Sequence, residues 1–326
     1  MKKLFIAIAA LAAMTSCSQD EVMEVAEKQA ISFGSAFVGN VTRATTAADP
    51  SYSTSNALTS FNVWGTVTNP TEGSEPVAIF NNTKVNGSVG ENSTWTPTTT
   101  QYWIQDAKYN FAALVNEGKV ELGDDKLPET VHFEYSDGSV DLLYAKSDPN
   151  IIGKLTGNEK VNMDFDHLLS KVKFTVVNGS TAATGYSFLV KNINVIGATK
   201  ATCHIPTKEW TTLNGEQVIP FSTITVNNTD VKSECKSELL LIPQSVSVSF
   251  TVDILYGTET IASHNYATTT THTLLVGNAY NFLINVSVGE KILFTVAEYP
   301  EWVNGNTTDS DDADSVFDHI PLTSLK

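Results

Sequence analysis

The sequence predicts an all-β protein organised as β-sandwiches, and three observations carry that expectation. Val246, Val248, Phe250, Val252, Ile254 and Tyr256 are apolar at strict period two, opposite Ser247, Ser249, Thr251 and Asp253. That pattern describes one half-buried strand of roughly 35 Å, whereas a helix would scatter the same residues around its circumference. No window longer than one or two turns carries a 3.6-residue period. Charged residues make up only 17% of the chain, which is rich in Thr, Ser, Asn, Val and Gly, a composition that suits extended structure.

Along the chain, Ile31, Phe33 and Phe37 fall on alternate positions, with Ser35 the exception, and predict one short strand. Thr45 to Thr59 reads as loop, with Asp49-Pro50 as a turn signal. Phe61, Val63, Gly65 and Val67 alternate in the next strand, with Trp64 on its opposite face. Asn81 to Thr100, which contains Trp95-Thr96-Pro97, is expected to be a hairpin loop with irregular ends. Strands resume at Tyr102–Ile104, Tyr109–Val115 and Val131–Tyr135, and Asp137-Gly138 turns the chain into Val140–Ala145. Polar, glycine-containing Pro149–Glu159 marks a domain boundary.

Met163 to Ser170 is expected to hold one helical turn, capped by Asp164 or Asp166. Val172, Phe174 and Val176 then alternate. Tyr280, Phe282, Ile284, Val286 and Val288, then Ile292, Phe294 and Val296, end the series. Strands every ten or so residues in both halves predict two sandwiches, at 31–160 and 161–303, followed by an acidic tail at 304–326.

The N-terminus addresses the chain for export. Lys2 and Lys3 precede the apolar run Leu4–Ala13, which is too short to span about 30 Å of hydrocarbon but suits a secretory leader. Met14-Thr15-Ser16-Cys17 resembles a bacterial lipobox, so residues 1–17 are expected to be a lipoprotein signal ending at Cys17. The Cys17 thiol would take a diacylglycerol, and two or more acyl chains anchor stably where one does not. Residues 18–30 are polar and acidic and read as a tether.

A formal charge of −16 argues against nucleic acid and anionic membrane surfaces, which need a basic face. Cys203 and Cys235 enter an oxidising compartment, where they form a disulfide or remain two buried thiols. No His-Glu-x-x-His, Cys-x-x-Cys, Gly-x-Ser-x-Gly or phosphate-cradling loop occurs, so neither enzyme, metal nor cofactor is expected. Asp166-His167 has the composition of a catalytic dyad, but such a histidine more often packs at a strand start. Asp309, Asp311, Asp312 and Asp314 lack the glycine and glutamate of a calcium loop and read as solvated tail. Beyond them Val316-Phe317 and Ile320-Pro321-Leu322 are apolar enough to dock or to serve as a donor segment.

Several stretches together resemble the fimbrillin-like proteins of Bacteroidetes, the subunits of protease-assembled pili. They are Met14–Cys17, Phe61-Asn62-Val63-Trp64-Gly65, Asp164-Phe165-Asp166-His167-Leu168-Leu169-Ser170-Lys171-Val172, Leu239–Gln244 and Gly277-Asn278-Ala279-Tyr280 with Trp302. The resemblance spans about Ile31 to Trp302. It implies two transthyretin-like β-sandwich domains in tandem, export to the outer membrane as a lipoprotein, and polymerisation with other pilus subunits into a surface fimbria that supports adhesion to a host or bacterial receptor. In that family a trypsin-like protease cuts after an arginine near the first strand, and Arg43, the sole arginine, is the residue that fits. Removing the strand bearing Ile31, Phe33 and Phe37 would open an apolar groove for a neighbour's strand. A competing expectation is a monomeric surface lipoprotein that binds glycans on the rings of Trp64, Trp95, Trp103 and Trp210.

Overall fold

Alternating side chains become strands throughout the computed structural model, which describes residues 28–38, 58–70, 74–87, 94–115, 118–180, 185–227, 230–235, 238–299 and 317–325. Among them there is no helix, and the strands form three sheets. The protein is all-β.

The first sheet runs in the order Phe33–Val38, Val161–His167, Leu143–Lys146, Lys108–Val115, Ser60–Thr68, Val77–Asn86 and Thr96–Pro97, with Ile151–Ile152 beside Lys108–Val115. Its two ends meet where Phe33 and Trp95 bridge, so the sheet curls around its own core. That core is aromatic and fully enclosed, with Phe33, Phe61, Phe80, Phe111, Phe165, Trp95, Trp103 and Tyr109 among its members. Gly65 has a packing reason: a Cβ there would meet the Phe111 ring at 2.7 Å.

Two local expectations change. The expected loop from Asn81 begins inside the Val77–Asn86 strand, which pairs with Ser60–Thr68. Asn82 takes a left-handed conformation (φ 51°) where the register shifts, so the bulge absorbs the asparagines without ending the strand. The helical turn expected at Met163–Ser170 is instead the strand Val161–His167. Val161, Met163, Phe165 and His167 are buried while Asn162, Asp164 and Asp166 are exposed, a period of two that overrides the capping potential of the aspartates.

The second sheet places Ser170–Asn178 beside Ala279–Val286 in parallel, then Leu293–Tyr299 and Phe317–His319, with Lys232–Glu234 and Leu239–Leu241 on the other side of Ser170–Asn178. The third is organised on the 19-residue strand Tyr186–His204, roughly 60 Å long. Ser245–Tyr256 and Pro128–Glu134 lie along one side of it, Glu209–Pro220 and Ile224–Val226 along the other.

Phe174, Phe282 and Phe294 from the second sheet pack against Phe188, Val190, Val248 and Phe250 from the third. The far end of Tyr186–His204 serves another core, where Ala201 and Cys203 meet Val131, Phe133 and the outward Trp64, Ala112 and Leu114 of the first sheet. Sheet membership changes between His167 and Ser170, past the boundary expected at 160, and Pro128–Glu134 joins the third sheet. The C-terminal segment docks on its own body. Phe317–His319 pairs with Leu293–Tyr299, Leu322–Leu325 pairs with Glu259–Thr268, and Ile320 is buried between them.

Candidate functional site

The strand Phe33–Val38 and the residues just before it lie in a groove bonded on both sides. On one side Phe33–Val38 runs parallel to Val161–His167, and Val161 N donates to Ser32 O at 2.9 Å. On the other, Ile31 N donates to Gln101 O at 2.8 Å and Trp103 N to Gln29 O at 3.1 Å. Phe33 N donates to Trp95 O at 3.1 Å, and Trp95 N returns a bond to Phe33 O at 3.2 Å. Backbone groups that would be orphaned along two sheet edges are therefore satisfied by this one segment.

Side chains anchor it from inside. Ile31 is 2% exposed and Phe33 fully buried. The Phe33 ring stands edge-on to Phe61 and Phe111, with centroids 5.9 and 5.6 Å away, and 6.0 Å from Phe80. Burying one such ring contributes about 1.5–3 kcal/mol. Outside, Lys160 Nζ donates to Thr94 Oγ1 at 2.7 Å. Because Val161 and Trp95 flank the strand on opposite sides, this bond crosses over it as a strap.

Phe37 does not simply continue the alternation. A bulge between Phe33 and Ala36 shifts the register, so Ala36 and Val38 oppose Met163 and Phe165 while Phe37 opposes the exposed Asp164. Cys17 and Arg43 lie outside the described residues, as do Asp309, Asp311, Asp312 and Asp314. Among the described residues no group of three or more His, Cys, Asp or Glu is placed to hold a metal.

The remaining candidates are structural. Cys203 and Cys235 are buried thiols that are not joined by a disulfide, and they sit in different cores. Burial pushes the Cys203 thiol up to about 12. His167 pairs with Asp141, Nδ1 to Oδ2 at 2.7 Å, rather than with its neighbour Asp166, which bonds Lys208. Trp64, Trp95 and Trp103 are 2%, 0% and 3% exposed, so none offers a ring to a glycan. Trp210 is half-buried, edge-on to Phe133, with its indole N–H on Leu168 O at 3.0 Å. The aromatic rings expected to form glycan platforms are cores instead.

Sequence reasoning missed both walls of the groove. Val161–His167 carries a visible signal in its period of two; Trp95 carries none, because its role depends on a partner 62 positions earlier in the chain.

The fimbrillin-like family model matches residues 42–302. The chain belongs to the fimbrillin-like family. Among solved structures, this fimbrillin-like chain is similar to a fimbrial protein from Bacteroides vulgatus, with 15% identity over 82% of this chain and 98% of the other and a TM-score of 0.55. It is also similar to a putative cell adhesion protein from Bacteroides ovatus, with 12% identity, 84% and 96% coverage and a TM-score of 0.51. At such identities the likeness establishes the fold. No curated protein matches the sequence.

Proposed function

We propose that this member of the fimbrillin-like family is a structural subunit of a cell-surface fimbria, exported as a lipoprotein through Cys17 and activated by a trypsin-like cut after Arg43. The observation that supports this most is the segment Gln29–Val38, which fills an apolar groove through backbone bonds on both sides and sits just ahead of the chain's sole arginine. Uncut, the strand satisfies its own groove. Cut, it leaves with the lipid-bearing N-terminus, and a neighbouring subunit's strand replaces it without net loss of hydrogen bonds. Each replaced bond contributes about 0.5–1.5 kcal/mol net, and alternate side chains entering the Phe61–Phe80–Phe111 core add apolar burial. The product is a slowly dissociating polymer that places adhesive surface away from the cell.

The test is cell-surface expression of wild type and Arg43→Ala. Wild type is expected to give high-molecular-weight ladders and Arg43→Ala a folded, lipid-attached monomer. Ladders from Arg43→Ala would place the activating cut elsewhere. Cut wild type that stays monomeric at high concentration would make this subunit an anchor or a cap.

A further inference from the structure

The segment Gln29–Val38 is held in its groove by more than backbone pairing. Half-buried Gln29 grips one residue of the opposite loop with both ends of its side-chain amide. Its Nε2 donates to Asn158 O at 2.8 Å, and its Oε1 accepts from Asn158 N at 2.8 Å. One carboxamide thus answers both the donor and the acceptor of a backbone residue, as a neighbouring strand would. Asn158 Nδ2 adds a third bond to Gln29 Oε1 at 3.1 Å.

The receiving loop has its own internal shape. Asn158 Oδ1 accepts from Lys154 N at 2.9 Å, and Asn158 Nδ2 donates to Lys154 O at 2.6 Å. Gly157 makes the turn with φ +74°, and Gln105 Oε1 accepts from Leu155 N at 3.2 Å. The Asn158 amide and carbonyl are therefore presented together to whatever side chain occupies position 29. Only a carboxamide carries donor and acceptor on one planar fork; glutamate lacks the donor, lysine the acceptor and leucine both.

We propose that the loop from Lys154 to Asn158 is a carboxamide-reading subsite of the groove. The strands it accepts, from this chain or from another subunit, are extended peptides with glutamine two residues ahead of the first of two alternate apolar anchors, as in Gln29, Ile31 and Phe33. The selectivity for foreign strands rests on the groove being the assembly site; the contact itself does not.

Two measurements separate these. In the intact chain, amide hydrogen exchange across residues 31–36 is compared for wild type, Gln29→Glu and Gln29→Leu, each checked for fold by circular dichroism. Gln29→Leu removes all three bonds, and Gln29→Glu removes the donation to Asn158 O and sets a carboxylate oxygen against that carbonyl, so exchange is expected to speed about tenfold in both variants; unchanged exchange overturns the subsite. In chain cut by an Arg-specific protease, a fluorescein-labelled peptide of residues 28–38 competes with its Gln29→Glu counterpart. Retention of the glutamine peptide about tenfold better is expected, and equal retention overturns the selectivity. If neither peptide enters while the exchange result holds, the groove fails as an assembly site and the carboxamide contact stands.

Discussion

Phe33 and Trp95 exchange both of their backbone hydrogen bonds, at 3.1 and 3.2 Å, and that pair joins the first strand of the first sheet to its last. The closure matters because the Phe33 ring is also a central piece of the aromatic core. One residue thus holds the edge and fills the interior, which couples departure of the strand to opening of the core.

Phe33→Ala should therefore be costly. Its ring touches Phe61, Phe80 and Phe111 and leaves a void that rigid aromatic neighbours cannot fill. A loss of about 3–5 kcal/mol is expected from urea denaturation of the lipid-free protein. A loss below about 1 kcal/mol would mean that the strand contributes little to its own fold.

Lys173 gives an opposite expectation. It is 2% exposed, burial pulls its ammonium below the usual lysine value, and Glu234 at 3.8 Å offsets this only partly. Its Nζ makes no hydrogen bond. Glu234 is a third exposed and stays hydrated when its partner is removed. Lys173→Met should thus raise stability by about 1 kcal/mol, seen as a higher urea midpoint at unchanged slope. A clear drop would show that the ion pair outweighs its desolvation.

Acid should find a specific weak point at Asp253. Burial works to raise its carboxyl, but Lys191 at 2.5 Å and Ser263 at 2.6 Å outweigh it and hold the pKa below the usual value. A depressed folded pKa gives stability that is fully present above the unfolded value of about 3.9 and is lost as pH falls through the folded one. Asp253→Asn should be less stable than wild type at pH 7, and the two should converge as the pH drops below about 4. A gap that persists once the carboxyl is protonated in the folded protein would point to packing rather than charge.

How legible a strand is depends on how many of its faces are buried. Val246–Val252 announces itself because Ser247, Ser249 and Thr251 separate the apolar positions, although only the serines are part-exposed and Thr251 is buried. Val161–His167 alternates as cleanly, yet its exposed aspartates also suit helix caps, and only pairing with Phe33–Val38 and Leu143–Lys146 decides between them. The inner half of the candidate site, Ile31 and Phe33, is written in the local pattern. The outer half is not, because Gln29 meets Asn158 across 129 residues and Phe33 meets Trp95 across a stretch that reads as loop. Tryptophans are ambiguous for a related reason: ring chemistry suits a glycan platform and a core equally, and burial separates the two.

The central claim is that assembly begins with a cut after Arg43, and the N-terminus of the polymerised protein tests it most directly. Protein is recovered from cell surfaces, polymer is separated from monomer, and each is sequenced from its N-terminus. The account expects polymer to begin at Ala44, and monomer to be blocked at an acylated Cys17. Polymer blocked at its N-terminus as the monomer is, or beginning at a residue past the Ser60–Thr68 strand, would contradict it.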